Sequence, residues 1–149
     1  MKLKIVNKST NALPEYKTPD SSGMDLRAYL PEGSITLAPM ERKIIPTGLY
    51  IEIEQGYEGQ VRPRSGCAVK QGLTVINAPG TIDADYRGEV GVPLINLSTE
   101  PQTIENGDRV AQIVFAPYAK VEEIIEVSDV SEMTDTERGA GGFGHSGKK

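Results

Sequence analysis

The chain has 149 residues, enough to bury one hydrophobic core and short for two domains of ordinary size. A net charge of −5 and the absence of tryptophan argue against a nucleic-acid binder held by phosphate contacts or aromatic stacking. A lone cysteine excludes an internal disulfide or a cysteine metal cluster. With no signal-like N-terminus and no apolar run near the roughly 18 residues of a membrane-crossing helix, the expectation is a cytoplasmic protein with no nucleic-acid or membrane partner.

Sixteen glycines and ten prolines break the chain, at intervals of roughly 8–12 residues, and β-rich runs fill the gaps. Leu3–Val6 opens, followed by Met24–Tyr29 and Ser34–Leu37. From Leu49 to Glu54 apolar and polar residues alternate, the signature of a strand with one buried face. Arg64–Gly72 reads as one short helix, with Ser65 at the N-cap and Gly72 just past the end. Cys67 falls inside it and reads as a small buried hydrophobe, since the only histidine, His145, lies far along the chain. Leu73–Asn77 and Thr81–Tyr86 read as the arms of a hairpin, with Pro79-Gly80 at the centre of a type II turn. Val90–Leu97 and Arg109–Phe115 follow as strands, and Ala119–Val127 as a last strand or a short amphipathic helix. The spacing gives a single all-β domain over residues 1–127, a sandwich, barrel or jelly roll. Residues 128–149 read as a polar linker and a glycine-rich arm.

Some residues carry more chemistry than a turn or strand requires. Asn77, Asp83, Asp85 and Tyr86 crowd one turn beside apolar Ile82. Such a loop could hold a planar ligand next to a general base; the same residues also fit a polar loop whose aspartates bond their own backbone. Asp85 reads as salt-bridged or capping, and Arg109 as structural. Gln112 alternates with Val110 and Val114 and so interrupts an apolar face. A buried unpaired amide costs roughly 1–3 kcal/mol, so a partner is expected for it. Successive glycines after Arg138 would let backbone N–H groups converge on anionic oxygens. Asn7-Lys8-Ser9 and Asn96-Leu97-Ser98 match the glycosylation pattern, which means little without a secretory signal.

Five blocks, in order, resemble the trimeric deoxyuridine triphosphate diphosphatases (dUTPases). They are Ser22–Ala28, Pro63–Gly66, Gly80–Gly88, Gly107–Gln112 and Arg138–Gly147. The chain departs from the common pattern at Ser22, at Cys67, where an aliphatic residue is frequent, and at His145. The resemblance implies a compact β jelly roll of the β-clip type with one short helix, assembled as a homotrimer with active sites at subunit interfaces. It implies hydrolysis of dUTP to dUMP and pyrophosphate with Mg²⁺, which keeps uracil out of DNA and supplies dUMP for thymidylate.

By the same resemblance Asp83 orients and deprotonates the water that attacks the α-phosphorus. Carboxylates are weak bases at neutral pH, so positioning must supply much of the gain. Tyr86 lies under the deoxyribose and excludes a 2′-hydroxyl. Asn77 and the backbone of Gly80, Thr81, Ile82 and Asp83 read the uracil edge, and Gly91 lets the backbone approach the base. Arg64, Ser65 and Gly66 bind phosphate, and Gln112 binds the α-phosphate or the water. Asp25 holds the water shell of the metal rather than the metal itself. Arg138, Phe143, Gly144 and Ser146 close over the nucleotide as a lid. Two rivals remain: a dCTP deaminase of the same fold, which would use a glutamate and lack the arginine–glycine–phenylalanine tail, and a non-catalytic nucleotide-binding β module.

Overall fold

Alternation of apolar and polar residues sets the layers of the structure, a computed structural model that describes residues 1–142. In chain order the strands among these residues are β1 (Leu3–Asn7), β2 (Gly23–Arg27), β3 (Ile35–Leu37), β4 (Arg42–Ile53) and β5 (Tyr57–Arg62). The helix α1 (Ser65–Gln71) follows, then β6 (Leu73–Val75), β7 (Gly80–Ile82), β8 (Glu89–Asn96), β9 (Gln102–Ile104) and β10 (Arg109–Pro117). One antiparallel sheet has the order β1-β4-β8-β6 and a second the order β2-β10-β5-β7, while β3 and β9 form a small ribbon. The buried residues of both large sheets meet in one core. Leu49 and Ile51 of β4 and Val90, Val92 and Leu94 of β8 join Leu26 of β2, Val61 of β5 and Ile113 of β10. The chain divides into two units, Met1–Ala119 and Lys120–Lys149.

Two asparagines build matching corners at the rim of the first sheet. The side-chain oxygen of Asn96 accepts from the backbone N–H (2.9 Å) and hydroxyl (2.7 Å) of Ser98. Its amide donates to the carbonyls of Leu37 (2.9 Å) and Glu100 (2.8 Å), so all four of its hydrogen-bonding positions are filled in a fully buried site. Asn7 repeats the pattern with Ser9, at 2.9 and 2.7 Å. Each corner docks on a glycine with positive φ, Gly48 (70°) for Ser9 and Gly72 (66°) for Ser98. A Cβ on either glycine would stand 2.9 Å from the serine nitrogen. Both Asn-x-Ser matches are therefore turn devices. Replacing Asn96 by alanine removes from a fully buried site the four hydrogen bonds that tie the end of β3 to the Ser98–Glu100 loop, and should lower unfolding stability by at least about 2 kcal/mol. The check is the urea midpoint at constant m-value; an unchanged midpoint would deny the corner this role.

Several local expectations need correction. Leu73–Asn77 and Thr81–Tyr86 are not arms of one hairpin: β6 pairs with β8, whereas β7 pairs with β5 in the other sheet. The chain crosses between layers there. Pro79 follows a cis peptide bond, and Gly80 is not among the residues with positive φ, so the turn is not type II. A Cβ at position 80 would stand 3.1 Å from the Asn77 amide nitrogen and 3.4 Å from Val61, a tight fit that a shift of the exposed Asn77 side chain can relieve. The N-cap of α1 is Arg64 rather than Ser65, and it makes no side-chain cap, while Gly72 does take the left-handed conformation. Ala119–Val127 forms neither strand nor helix; Val121, Ile124 and Ile125 are 71%, 89% and 73% exposed. A β-rich run becomes a strand only where a neighbouring ladder receives it, and no described strand does.

Candidate active site

β10 carries the first group of site residues. Gln112 stands opposite Asp25 on β2 and Arg62 on β5. Its amide donates to the carbonyl of Pro63 (2.9 Å), which fills the need foreseen for this half-buried group. Gly23 makes room for it, because a Cβ there would lie 2.4 Å from the Gln112 oxygen. A shallow concavity runs from Gln112 and Pro63 across Gln60 and Arg62 to Ala78 and Pro79.

Asp25 lies between two arginines. Oδ1 accepts from Nε of Arg64 (2.7 Å) and Oδ2 from Nη1 of Arg109 (3.2 Å). Arg64 Nη1 also donates to the Arg109 carbonyl (3.2 Å) and approaches Sγ of Cys67 at 3.7 Å. Cys67 is buried, as expected, and its thiol donates to the same carbonyl (3.3 Å). Burial works against the charge of Arg64, but the hydrogen bond to Asp25 and the contact with Cys67 outweigh it and hold the guanidinium pKa above its usual value. One carboxylate against two guanidiniums leaves the cluster cationic. It borders a cavity of about 450 Å³ that Gly66, Lys70 and Asp108 also line. Ser65 and Gly66 are exposed at the start of α1. The electrostatics suit an anion with several oxygens.

The second group lies after β7. Asp83 is exposed, and its carboxylate makes no hydrogen bond or ion pair with the described residues. Its carbonyl accepts from the Tyr86 N–H (3.1 Å), which closes a turn. Tyr86 is 43% exposed while its hydroxyl donates to the Glu89 carbonyl (3.0 Å). The ring lies so close to Gly88 that a Cβ there would come within 2.3 Å of the hydroxyl. Glu89 in turn accepts from the backbone N–H groups of Thr47 (3.1 Å) and Gly48 (2.7 Å), where the β4–β8 register shifts. Thr81 is exposed, Ile82 packs against the core, and Asn77 is exposed beside the buried Gly80. Gly91 is explained within the fold by Ile44, whose methyl would lie 2.7 Å from a Cβ there. Asp85, read as salt-bridged or capping, makes neither bond among the described residues; Arg87 instead donates to the Ala84 (2.7 Å) and Tyr86 (2.8 Å) carbonyls.

The structure thus brings Asp25, Arg64 and Gln112 into one neighbourhood and Asn77, Gly80–Asp83 and Tyr86 into another. No hydrogen bond joins the two among the described residues. Arg138 is exposed and donates to the Gly141 carbonyl (2.7 Å). Phe143, Gly144 and Ser146 lie outside the described residues. Among the described residues no three His, Cys, Asp or Glu side chains gather as metal ligands. Sequence reading missed Glu89 and the partnership of Cys67 with Arg64. Cys67 left a signal, a thiol where the resembling family is often aliphatic.

The sequence model of the dUTPase family matches residues 9–147. The chain belongs to the dUTPase family. It is 56% identical over 147 residues to a deoxyuridine 5′-triphosphate nucleotidohydrolase of Finegoldia magna, covering 99% of each chain. A protein of the same description from Cytophaga hutchinsonii is 56% identical over 146 residues, covering 98% of this chain and 92% of its own. Among solved structures, a mutant dUTPase of Staphylococcus bacteriophage 80alpha with dUpNHpp superposes with a TM-score of 0.85 at 26% identity, over 98% of each chain. A mutant dUTPase from phage phi11 of S. aureus, for which coordination of a structural Mg(II) ion is described, gives a TM-score of 0.76 at 24% identity over 87% of this chain and 98% of its own. The jelly roll with one short helix is the fold this family predicts, and the two core-sharing sheets fit it. The matched span contains all five sequence blocks. No helix among the described residues is long and apolar enough to cross a membrane.

Proposed function

We propose that this protein is a dUTP diphosphatase acting in the cytoplasm as a homotrimer. The observation that carries the reading is the unpaired, exposed Asp83 carboxylate on the same loop as Tyr86, in a chain 56% identical to two deoxyuridine 5′-triphosphate nucleotidohydrolases. Asp83 accepts a proton from water as the water oxygen bonds to the α-phosphorus. The bond from that phosphorus to the α–β bridging oxygen breaks, and dUMP and pyrophosphate leave. Gln112 steadies the α-phosphate or the water. Arg64, Ser65 and Gly66 take phosphate oxygens, consistent with the cationic balance around Asp25. Asn77 and the Gly80–Asp83 backbone read the uracil edge, with Gly91 behind them. Arg138, Phe143, Gly144 and Ser146 complete the enclosure.

Mg²⁺ fits this site only as an ion carried by the triphosphate. Both oxygens of Asp25 already face guanidiniums, and the described residues provide no ligand cage. Each carboxylate oxygen keeps a second lone pair, so Asp25 can still accept from metal-bound water. When bound, the ion offsets phosphate charge and eases departure of pyrophosphate.

Three measurements test the proposal. Incubation with dUTP, dCTP, dTTP and UTP, reading pyrophosphate and ammonia, should give pyrophosphate from dUTP alone and no ammonia. Ammonia from dCTP would favour the deaminase rival, and no product at all the binding module. Tyr86→Ala opens space beneath the sugar, so the ratio of kcat/KM for dUTP to that for UTP should fall by at least about tenfold; an unchanged ratio would move sugar selection elsewhere. Sedimentation should give three times the chain mass of 16.1 kDa. A fully active monomer would refute the shared site.

A further inference from the structure

Arg64 is fixed on one side before any ligand arrives. Nε is tied to Oδ1 of Asp25 at 2.7 Å, and Nη1 to the Arg109 carbonyl at 3.2 Å, with Cys67 Sγ 3.7 Å away. Nη2 makes no hydrogen bond among the described residues, so the guanidinium offers one free amino group. The far half of the clamp belongs to Arg109. Its Nη1 holds Oδ2 of Asp25 at 3.2 Å, so the carboxylate is gripped on both oxygens. The β2–β10 register slips between Arg109 and Ala111, and the Arg109 carbonyl there accepts from both Arg64 and Cys67. A bulge of this kind re-aims backbone groups out of the regular ladder.

We propose that Arg109 is a positioning residue for the triphosphate, acting through Asp25 and Arg64 rather than by touching phosphate itself. The inference rests on the reading of Arg64 as a phosphate-binding residue. A carboxylate held from one side can turn about its Cβ–Cγ bond and carry Arg64 with it. Held from both sides, it presents a fixed acceptor to the planar guanidinium fork. Arg64 then gives up its rotamer freedom on folding and not on binding, which strengthens binding without adding a contact.

The test measures equilibrium binding of dUpNHpp and of deoxyuridine to the full chain and to Arg109→Gln, Arg64→Ala and the double variant. Arg109→Gln should weaken dUpNHpp binding about five- to tenfold and leave deoxyuridine within about twofold, as expected for a coupled pair. In the Arg64→Ala background the same substitution should change dUpNHpp affinity less than about twofold. Should Arg109→Gln fail to fold by circular dichroism, Arg109→Lys supplies the same comparison, since it keeps the charge and loses the fork. An undiminished loss in the Arg64→Ala background would mean that Arg109 contacts phosphate directly and would overturn the inference. So would equal losses for dUpNHpp and deoxyuridine, or none. If Arg64→Ala alone binds dUpNHpp as tightly as the unsubstituted protein, the phosphate reading of Arg64 itself fails, and that result is distinct from the others.

Discussion

Asp83→Asn should lower turnover of dUTP by at least about 100-fold, the lower range for loss of a general base. The expected effect is large because the carboxylate has no other task. It is exposed and bonds nothing among the described residues, so an isosteric amide disturbs no packing and breaks no ion pair. Thermal unfolding should be unchanged, and so should affinity for dUpNHpp, because the β7 backbone proposed to read the base keeps its ladder with β5. The distinguishing pattern is therefore a fall in kcat with binding preserved. Full activity in the amide variant would remove Asp83 from the base role and require another proton acceptor.

The second large effect is expected from a chain that ends at Glu137. Among the described residues, every member of the hydrophobic core lies between Leu3 and Phe115, so the shortened protein should fold and assemble as before. It loses Arg138, Phe143, Gly144 and Ser146. A charged hydrogen bond contributes about 1.5–3 kcal/mol and an aromatic stack about 1 kcal/mol. Together these correspond to a loss of kcat/KM on the order of 100-fold. Refolding the shortened chain together with full-length Asp83→Asn should recover part of the activity, because a mixed trimer can combine an intact arm with an intact base. A shortened protein that hydrolyses dUTP at the full rate would show the arm to be dispensable.

Side-chain chemistry was legible in the sequence wherever a residue type broke the local pattern. Gln112 on an apolar face and Asp83 and Tyr86 crowded at one turn were visible without coordinates. The strand rhythm was equally plain in β4 and β8, where one face is buried and the other is not. β5 escaped because Glu58, Gly59 and Gln60 give it little apolar alternation, and β9 because three residues are too few to show a period. Pairing was the harder matter. β6 and β7 are β-rich, close in sequence and joined through Pro79-Gly80, which is what a hairpin looks like locally; only the rest of the fold sends them to different sheets. The Asp25 cluster was hidden for a related reason. Its members come from β2, the residue before α1, and β10, and nothing local in any one segment announces the other two. Asp25 was therefore read by resemblance as a metal-shell residue, while the geometry adds two arginines to its duties.

In the proposed reaction water attacks the α-phosphorus of dUTP. Hydrolysis in water enriched in ¹⁸O, with mass analysis of both products, addresses it most directly. One labelled oxygen should appear in dUMP and none in pyrophosphate. Label in pyrophosphate would place the attack on the β-phosphorus, and release of inorganic phosphate instead would place it on the γ-phosphorus; either result would contradict the mechanism.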